Sequence, residues 1–162
     1  MRLISLDFDG PFHPVSSIAD RANSVSGVEL DGLVAERDLF RWLPILAEEL
    51  HDHPDVLLAV HSNWRKYASN AQICLWLGDL AERFVGVTRL DLPRQLGIEE
   101  LAERAGVEHL KVLDDDNEQF DAGYEPLLLV DPERGINDDG VRAALSSWLR
   151  ETSPSPSVVA RP

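Results

Sequence analysis

The fold class is decided by one short stretch near the start of the chain, Leu3-Ile4-Ser5-Leu6-Asp7-Phe8-Asp9-Gly10. Its apolar start is typical of a buried strand that ends at Asp7. Asp7 and Asp9 can project into one crevice, and Gly10 allows a sharp turn. Two carboxylates this close ionise together only when a cation separates them, which favours a hard divalent metal such as Mg²⁺. For the motif alone, an ordinary surface turn is an equal alternative.

Four further apolar runs are typical of strands buried in a sheet: 56–60, 84–87, 110–113 and 127–130. Helical patterns lie between the strands, at 44–50, 72–83 and 98–105, and a last helix is capped by Asn137 or Asp138. This alternation predicts an α/β fold with a mainly parallel five-stranded sheet. In such sheets, functional residues gather beyond the carboxyl ends of the strands.

Polar residues follow the other strands at these expected ends. Ser62 and Asn63 follow the second strand, where a hydroxyl and backbone N–H groups can bind a phosphate oxygen or simply cap a helix. Arg89 and Arg94 follow the third strand and could offset phosphate charge. Three acids at 114–116 follow the fourth strand, where a metal would find its remaining ligands, although such runs are usually solvated loops.

Composition indicates a single soluble domain. The chain has 162 residues, with 29 acidic and 15 basic side chains and a net charge of −14, so nucleic acid is repelled at long range. Cys74 is the single cysteine, which predicts no internal disulfide and a cytoplasmic location. We expect no signal peptide and no membrane span. We predict a domain over 1–151 and a disordered Ser/Pro-rich tail over 152–162.

The order of these motifs resembles the haloacid dehalogenase (HAD) superfamily. Asp7 to Gly10 matches its first motif, Ser62 its second, and Asp114 with Asp115 its fourth. The third motif normally carries a lysine, which is absent between Lys66 and Lys111. From about residue 2 to 150 the chain is similar to the small HAD domain of Swiss army knife RNA repair proteins. The matching segments are 43–46, 53–54, 62–65, 86–88, 94–98, 130–136 and 148–149.

The resemblance implies a three-layer Rossmannoid sandwich and a phosphatase mechanism. Asp7 would be the nucleophile that forms an aspartyl-phosphate, and Asp9 would be the general acid and then the base. Mg²⁺ would be held by Asp7, the carbonyl of Asp9 and Asp115. The alternatives to Asp115 are Asp114, Asp116 and Asp121. The phosphate would be bound by Ser62, Asn63, Arg94 in place of the usual lysine, and Arg65.

The spacing of the motifs leaves no room for a large cap domain, either between Asp9 and Ser62 or between Ser62 and Arg94. An open site suits a bulky phosphate ester, such as an RNA or nucleotide end or a phosphoprotein. The negative charge predicts weak contact with RNA, or help from a basic protein partner. The main alternative is a catalytically weak or inactive module that binds a phosphate or a protein. A receiver-like phosphoacceptor and a dehalogenase fit the motifs less well.

The aromatic residues are interpreted as packing residues. Trp42, Trp64, Trp76 and Trp148 are most simply core or half-buried, with Trp64 notable for its place beside Ser62. His61 is interpreted in the same way, as a residue that packs or points to solvent rather than one that binds a metal.

Overall fold

A five-stranded parallel sheet forms the centre of the computed structural model, which describes residues 1–19 and 27–154. The strands are β1 (Arg2–Leu6), β2 (Val56–Val60), β3 (Phe84–Val87), β4 (His109–Asp114) and β5 (Leu127–Leu129). Their order in the sheet is β3-β2-β1-β4-β5. Leu6 is paired with Val60 of β2 on one side and with Leu113 of β4 on the other. The residues that follow these three positions therefore leave the sheet side by side.

Helices cover both faces of the sheet. They are α1 (Gly27–Glu36), α2 (Leu43–Glu49), α3 (Asn70–Leu77), α4 (Arg94–Arg104) and α5 (Asp139–Glu151). Ile4 and Leu6 of β1 pack into the larger core with α1, α2, α3 and α5, whereas Leu3 packs with Leu101 of α4. This alternation is the two-residue period of a strand that is buried on both faces. The predicted three-layer α/β sandwich without a large cap is confirmed.

Two helix predictions differ from the structure, and one helix was not predicted. The helix predicted over 72–83 is α3, which ends at Leu77, followed by a 3-10 helix over Gly78–Arg83. The helix predicted from 98 begins four residues earlier, at Arg94, because its first turn has no buried apolar side chain that would mark it as helical. α1 was not predicted, since glycines at its start and centre weaken its helical pattern.

The end of the chain is described only in part. α5 is capped by Asp138, whose side chain accepts hydrogen bonds from the backbone N–H groups of Gly140 and Val141. The helix ends at Glu151, and most of the predicted tail, 155–162, lies outside the described residues. Among the described helices, none has the length and apolar character needed to cross a membrane.

Candidate active site

Three charged side chains meet at the carboxyl ends of the two central strands. Asp7 follows β1, Asp114 ends β4, and Arg94 begins α4. Nη1 of Arg94 donates hydrogen bonds to Oδ2 of Asp7 at 3.2 Å and to Oδ2 of Asp114 at 2.5 Å. Both carboxyl groups are buried, and the side chain of Arg94 is only 11% exposed. One guanidinium group therefore bridges two acids that the sheet register brings together.

The two acids have opposite electrostatic environments. Burial, followed by the charge of Asp114, raises the pKa of Asp7 to about 8, although Arg94 opposes this shift. Burial also acts against ionisation of Asp114, but the hydrogen bond from His61 and the charge of Arg94 outweigh it and lower its pKa. Burial opposes the charge of Arg94 too, yet Asp7 and Asp114 raise its pKa. Asp114 is thus the ionised partner of Arg94, whereas the positive charge around Asp7 is too small to favour the ionised form of Asp7.

His61 completes a buried cluster with these acids. Its Nε2 lies 2.9 Å from Oδ2 of Asp114, and its Nδ1 lies 2.7 Å from Oγ of Ser5. Burial lowers the pKa of His61, so the ring is neutral, with Nε2–H donating to Asp114. One ligand atom each from Asp7, His61 and Asp114 lies within 4.8 Å of the others. The three groups are spaced closely enough to hold a metal ion, but the hydrogen bonds of both ring nitrogens of His61 leave the carboxylates as the available ligands.

The other two acids of the run, Asp115 and Asp116, have different partners. A Cβ atom added to Gly10, whose φ is +89°, would lie 2.6 Å from Cγ of Asp115. The glycine is therefore required by its backbone conformation and by the close approach of this carboxyl group. Burial, followed by the charge of Asp114, raises the pKa of Asp115 to about 6, and Asp9 contributes to the shift. Asp116 instead caps a short 3-10 helix, where its Oδ1 accepts from the backbone N–H of Glu118.

Asp9 is held by two side chains that sequence reasoning did not place in the site. Nε2 of His13 lies 2.9 Å from Oδ1 of Asp9. The indole Nε1–H of Trp64 donates to both carboxylate oxygens, at 3.0 Å to Oδ1 and 2.9 Å to Oδ2. Asp9 is 26% exposed, whereas His13 is fully buried. The carboxylate therefore lies at the surface of the crevice and is held by hydrogen bonds from two buried side chains.

The geometry agrees with a comparison of the sequence with known families. A family model described as the HAD domain in Swiss Army Knife RNA repair proteins matches residues 3–141. The chain belongs to this family. The resemblance found in the motifs is thereby confirmed. No curated protein and no solved structure matches the chain. Family membership indicates a hydrolase of the HAD type, and the buried cluster of Asp7, His61 and Asp114 is compatible with that activity.

The second motif of this HAD domain lies beside Asp7. Ser62 is fully buried, and a hydrogen bond from its side chain favours the ionised form of Asp7. Asn63 is exposed at the start of a 3-10 helix. Arg65 donates from Nη1 to the carbonyls of His61 and Ser62, and from Nε to the carbonyl of Thr88 at 3.2 Å. Burial, followed by the charge of the neighbouring Arg94, lowers the pKa of Arg65.

Two alternative site residues lie outside this arrangement. Arg89 is exposed and pairs with Asp91 at 2.5 Å, so Arg94 is the arginine that reaches the acids. Asp121 is also exposed, and its Oδ2 accepts from Nε2 of Gln95 at 3.1 Å.

The supporting residues His13, His61 and Trp64 carry no distinctive spacing. Their side chains reach the acids through tertiary packing. Only the position of His61 and Trp64 beside Ser62, directly after β2, signalled that they could lie near the site.

Proposed function

We propose that this HAD domain is a Mg²⁺-dependent phosphatase that hydrolyses phosphoric monoesters through an aspartyl-phosphate on Asp7. The bridge from Arg94 to Asp7 and Asp114 is the observation that carries the proposal. A carboxylate can approach a phosphate dianion only when positive charge offsets both groups. Arg94 would supply part of that charge at the position where the superfamily has a lysine.

The acids around Asp7 fit a metal ion. Asp7 and Asp115 both have a raised pKa because burial and neighbouring acids disfavour their ionised forms, and a bound cation would offset both causes. Asp114 differs from them, because His61, Arg94 and the backbone N–H of Asp116 already stabilise its charge and its pKa is lowered, and both ring nitrogens of His61 are hydrogen-bonded. We therefore assign the metal to the carboxylates of Asp7 and Asp115 and the backbone carbonyl of Asp9. Bound there, Mg²⁺ would neutralise phosphate charge.

The remaining chemistry follows from the side chains. A carboxylate oxygen of Asp7 would attack phosphorus as the bond from phosphorus to the leaving oxygen breaks. Asp9 would give its proton to that oxygen, and would then take a proton from the water that attacks the phosphorus of the aspartyl-phosphate. The bond from phosphorus to Asp7 would break in this second step. Ser62, Asn63, Arg65 and Arg94 would bind the phosphoryl oxygens.

The substrate proposal rests on the family and on the open site. The absence of a large cap leaves room for a bulky ester, and the family description favours a terminal phosphate of RNA or a nucleotide. The net charge of −14 favours short contact with such a substrate, or binding beside a basic protein partner. The cytoplasmic location expected from the lone Cys74 stays a prediction.

Phosphate release from an aryl phosphate tests the proposal. We expect the wild-type protein to release phosphate with Mg²⁺, and we expect EDTA or the substitution Asp7→Asn to abolish release. Asp52→Asn, which changes an exposed acid elsewhere, serves as the matched control and should leave release unchanged. Release that persists in Asp7→Asn would contradict the assignment of the nucleophile.

A second candidate function is a non-catalytic module that binds a phosphate or a protein. It is favoured by the arginine at the lysine position, because a guanidinium is a planar fork rather than a compact point charge. Nη1 of Arg94 also already donates hydrogen bonds to two carboxylates. This candidate predicts calorimetric binding of inorganic phosphate with no turnover, and binding should then survive Asp7→Asn.

A further inference from the structure

We propose that Trp64 and His13 are positioning residues that hold the carboxyl group of Asp9 with Oδ2 toward the leaving oxygen of the substrate. The inference deepens the proposed phosphatase function and rests on it. Neither residue would touch the substrate, and both would act through Asp9. The proposal is carried by the hydrogen bonds of the two side chains, by their burial and by the aromatic cluster that surrounds them.

The hydrogen bonds of His13 define its tautomer. Its Nδ1 accepts from the backbone N–H of Phe40 at 3.3 Å, so this nitrogen carries no proton. The proton of the neutral ring therefore lies on Nε2, which donates to Oδ1 of Asp9 at 2.9 Å. Because His13 is fully buried and its two nitrogens are both engaged, the ring provides a fixed donor for one oxygen of Asp9.

Trp64, in the 3-10 helix that follows β2, provides the second hydrogen-bond donor. It is 5% exposed, yet its indole N–H points at a carboxylate that is 26% exposed. A buried indole N–H needs a hydrogen-bond partner, and the partner of Trp64 is the carboxylate of Asp9. Its hydrogen bonds to Oδ1 and Oδ2, at 3.0 and 2.9 Å, keep the plane of the carboxylate fixed relative to the indole ring.

An aromatic cluster keeps Trp64 in place. Its ring lies edge to face with those of Phe8, Phe40 and Trp76, at centroid distances of 6.0, 5.4 and 5.3 Å. Phe40 has a φ of +63°, a strained conformation for a bulky residue, and this conformation accompanies the N–H bond to His13. The supports of Asp9 therefore cannot rotate without disturbing the packing of the larger core.

The arrangement distinguishes the two oxygens of Asp9. Within the described part of the chain, Oδ1 accepts from two N–H donors, whereas Oδ2 accepts only the shared indole N–H. A proton on Oδ1 would displace one of those donors, so the acid form would carry its proton on Oδ2. That proton would pass to the leaving oxygen as its bond to phosphorus breaks.

The test compares leaving groups, because a general acid matters most when the leaving group is a poor one. The measured quantity is kcat/KM, which reports the steps up to release of the alcohol. For Trp64→Phe we expect a loss of about tenfold or more with an alkyl phosphate and of less than about threefold with a nitrophenyl phosphate. In an Asp9→Asn background, Trp64→Phe should cause no further loss of kcat/KM with either substrate.

Trp76→Phe is the matched control. Trp76 lies in the same cluster, stacked 5.9 Å from Phe40, but its indole N–H donates to Asp31. Trp76→Phe should lower kcat/KM by less than about twofold with either substrate. Equal losses with both leaving groups in Trp64→Phe would overturn the inference and leave the phosphatase intact. Absence of turnover in the wild-type protein would instead remove the function on which the inference rests.

A spectroscopic readout does not depend on turnover. The indole N–H resonance of Trp64, assigned in the wild-type protein by nuclear Overhauser contacts to Phe8 and Phe40, should shift when Asp9 is replaced by Asn in the otherwise unchanged protein. The indole resonance of Trp76 should stay in place. A Trp64 resonance that is insensitive to Asp9→Asn would overturn the proposed contact, even where Trp64→Phe fails to fold.

Discussion

Two neighbouring carboxyl groups at the ends of β1 and β4 carry different tasks because their partners differ. Asp114 receives hydrogen bonds from His61, from Arg94 and from the backbone N–H of Asp116. Asp7 has Arg94 as its cationic partner but is buried against Asp114, which raises its pKa. Asp114 therefore stabilises the fold, whereas Asp7 is a buried acid whose local environment destabilises its ionised form.

Isosteric substitutions should separate these two roles. In EDTA at pH 7, Asp7→Asn should raise the free energy of unfolding by about 1–3 kcal/mol, because a neutral amide avoids the cost of burying, beside Asp114, a carboxyl group that is ionised in the unfolded chain. Asp114→Asn should lower it by about 3–5 kcal/mol, because it breaks a buried ion pair with Arg94. Urea unfolding measures both, with the exposed Asp52→Asn as control. Changes of the same sign in the two variants would contradict the assignment.

A second residue-scale prediction concerns the ion pair that joins β1 to the start of β2. Arg2 is buried and donates to Asp55 at 2.5 and 2.8 Å, and these hydrogen bonds lower the pKa of Asp55. A lowered pKa contributes stability above the unfolded value of about 3.9 and loses it as pH falls through the folded value. Asp55→Asn should therefore cost about 1–3 kcal/mol at pH 7.

The pH dependence of that cost is the check. The difference in unfolding free energy between wild type and Asp55→Asn should shrink as the pH is lowered below about 4. A difference that stays constant down to pH 3 would show that Asp55 acts by packing rather than by charge.

At the scale of elements, the strands could be predicted and part of the helices could not. Apolar runs bounded by turns define β2 and β3 residue for residue, because buried parallel strands have a strong local signal. The first turn of α4 has no buried apolar side chain, and α1 has a weak pattern, so neither could be found from periodicity. In the site, the acids follow strand ends in order, but the roles of His13, His61 and Trp64 depend on packing between distant segments.

The segment before α5 supports the loop of the first motif. Gly135 has a φ of +49°, and a Cβ there would lie 2.3 Å from the carbonyl oxygen of Gly10. Gly135→Ala should therefore displace this loop and lower the free energy of unfolding by about 2–4 kcal/mol. Gly123→Ala is the matched control, since its φ is +79° with open space around the added Cβ.

The control separates backbone strain from the steric contact. Gly123→Ala should cost about 1–2 kcal/mol, which is the cost of the left-handed conformation alone. Thermal or urea unfolding of the two variants gives the comparison. Equal costs would contradict the claim that Gly135 is needed for the close approach to the first motif.

At the scale of the whole molecule, charge opposes the substrate class that the family favours. A net charge of −14 repels polyanions over the Debye length, which falls from about 30 Å at 0.01 M salt to about 8 Å at 0.15 M. Most DNA- and RNA-binding proteins lose affinity as salt rises. For this domain acting alone, we infer that contact with RNA becomes more favourable as the salt concentration rises.

This inference predicts the salt dependence of turnover. For an RNA with a terminal phosphate, kcat/KM should rise at least about threefold between 0.01 and 0.15 M salt, because the salt screens the repulsion. For a small aryl phosphate the change should be less than about twofold. A fall in kcat/KM for the RNA would reveal a local basic surface that binds it.

The central claim is that Asp7 becomes phosphorylated, and chemical trapping tests it most directly. In Asp9→Asn a nitrophenyl phosphate, whose leaving group needs no acid, should still phosphorylate Asp7, while hydrolysis slows for want of a base. Borohydride reduction of the quenched protein, followed by peptide mass spectrometry, should find homoserine at position 7 when Mg²⁺ was present and not in EDTA. A burst of nitrophenol without modification at position 7, or with modification elsewhere, would contradict the account.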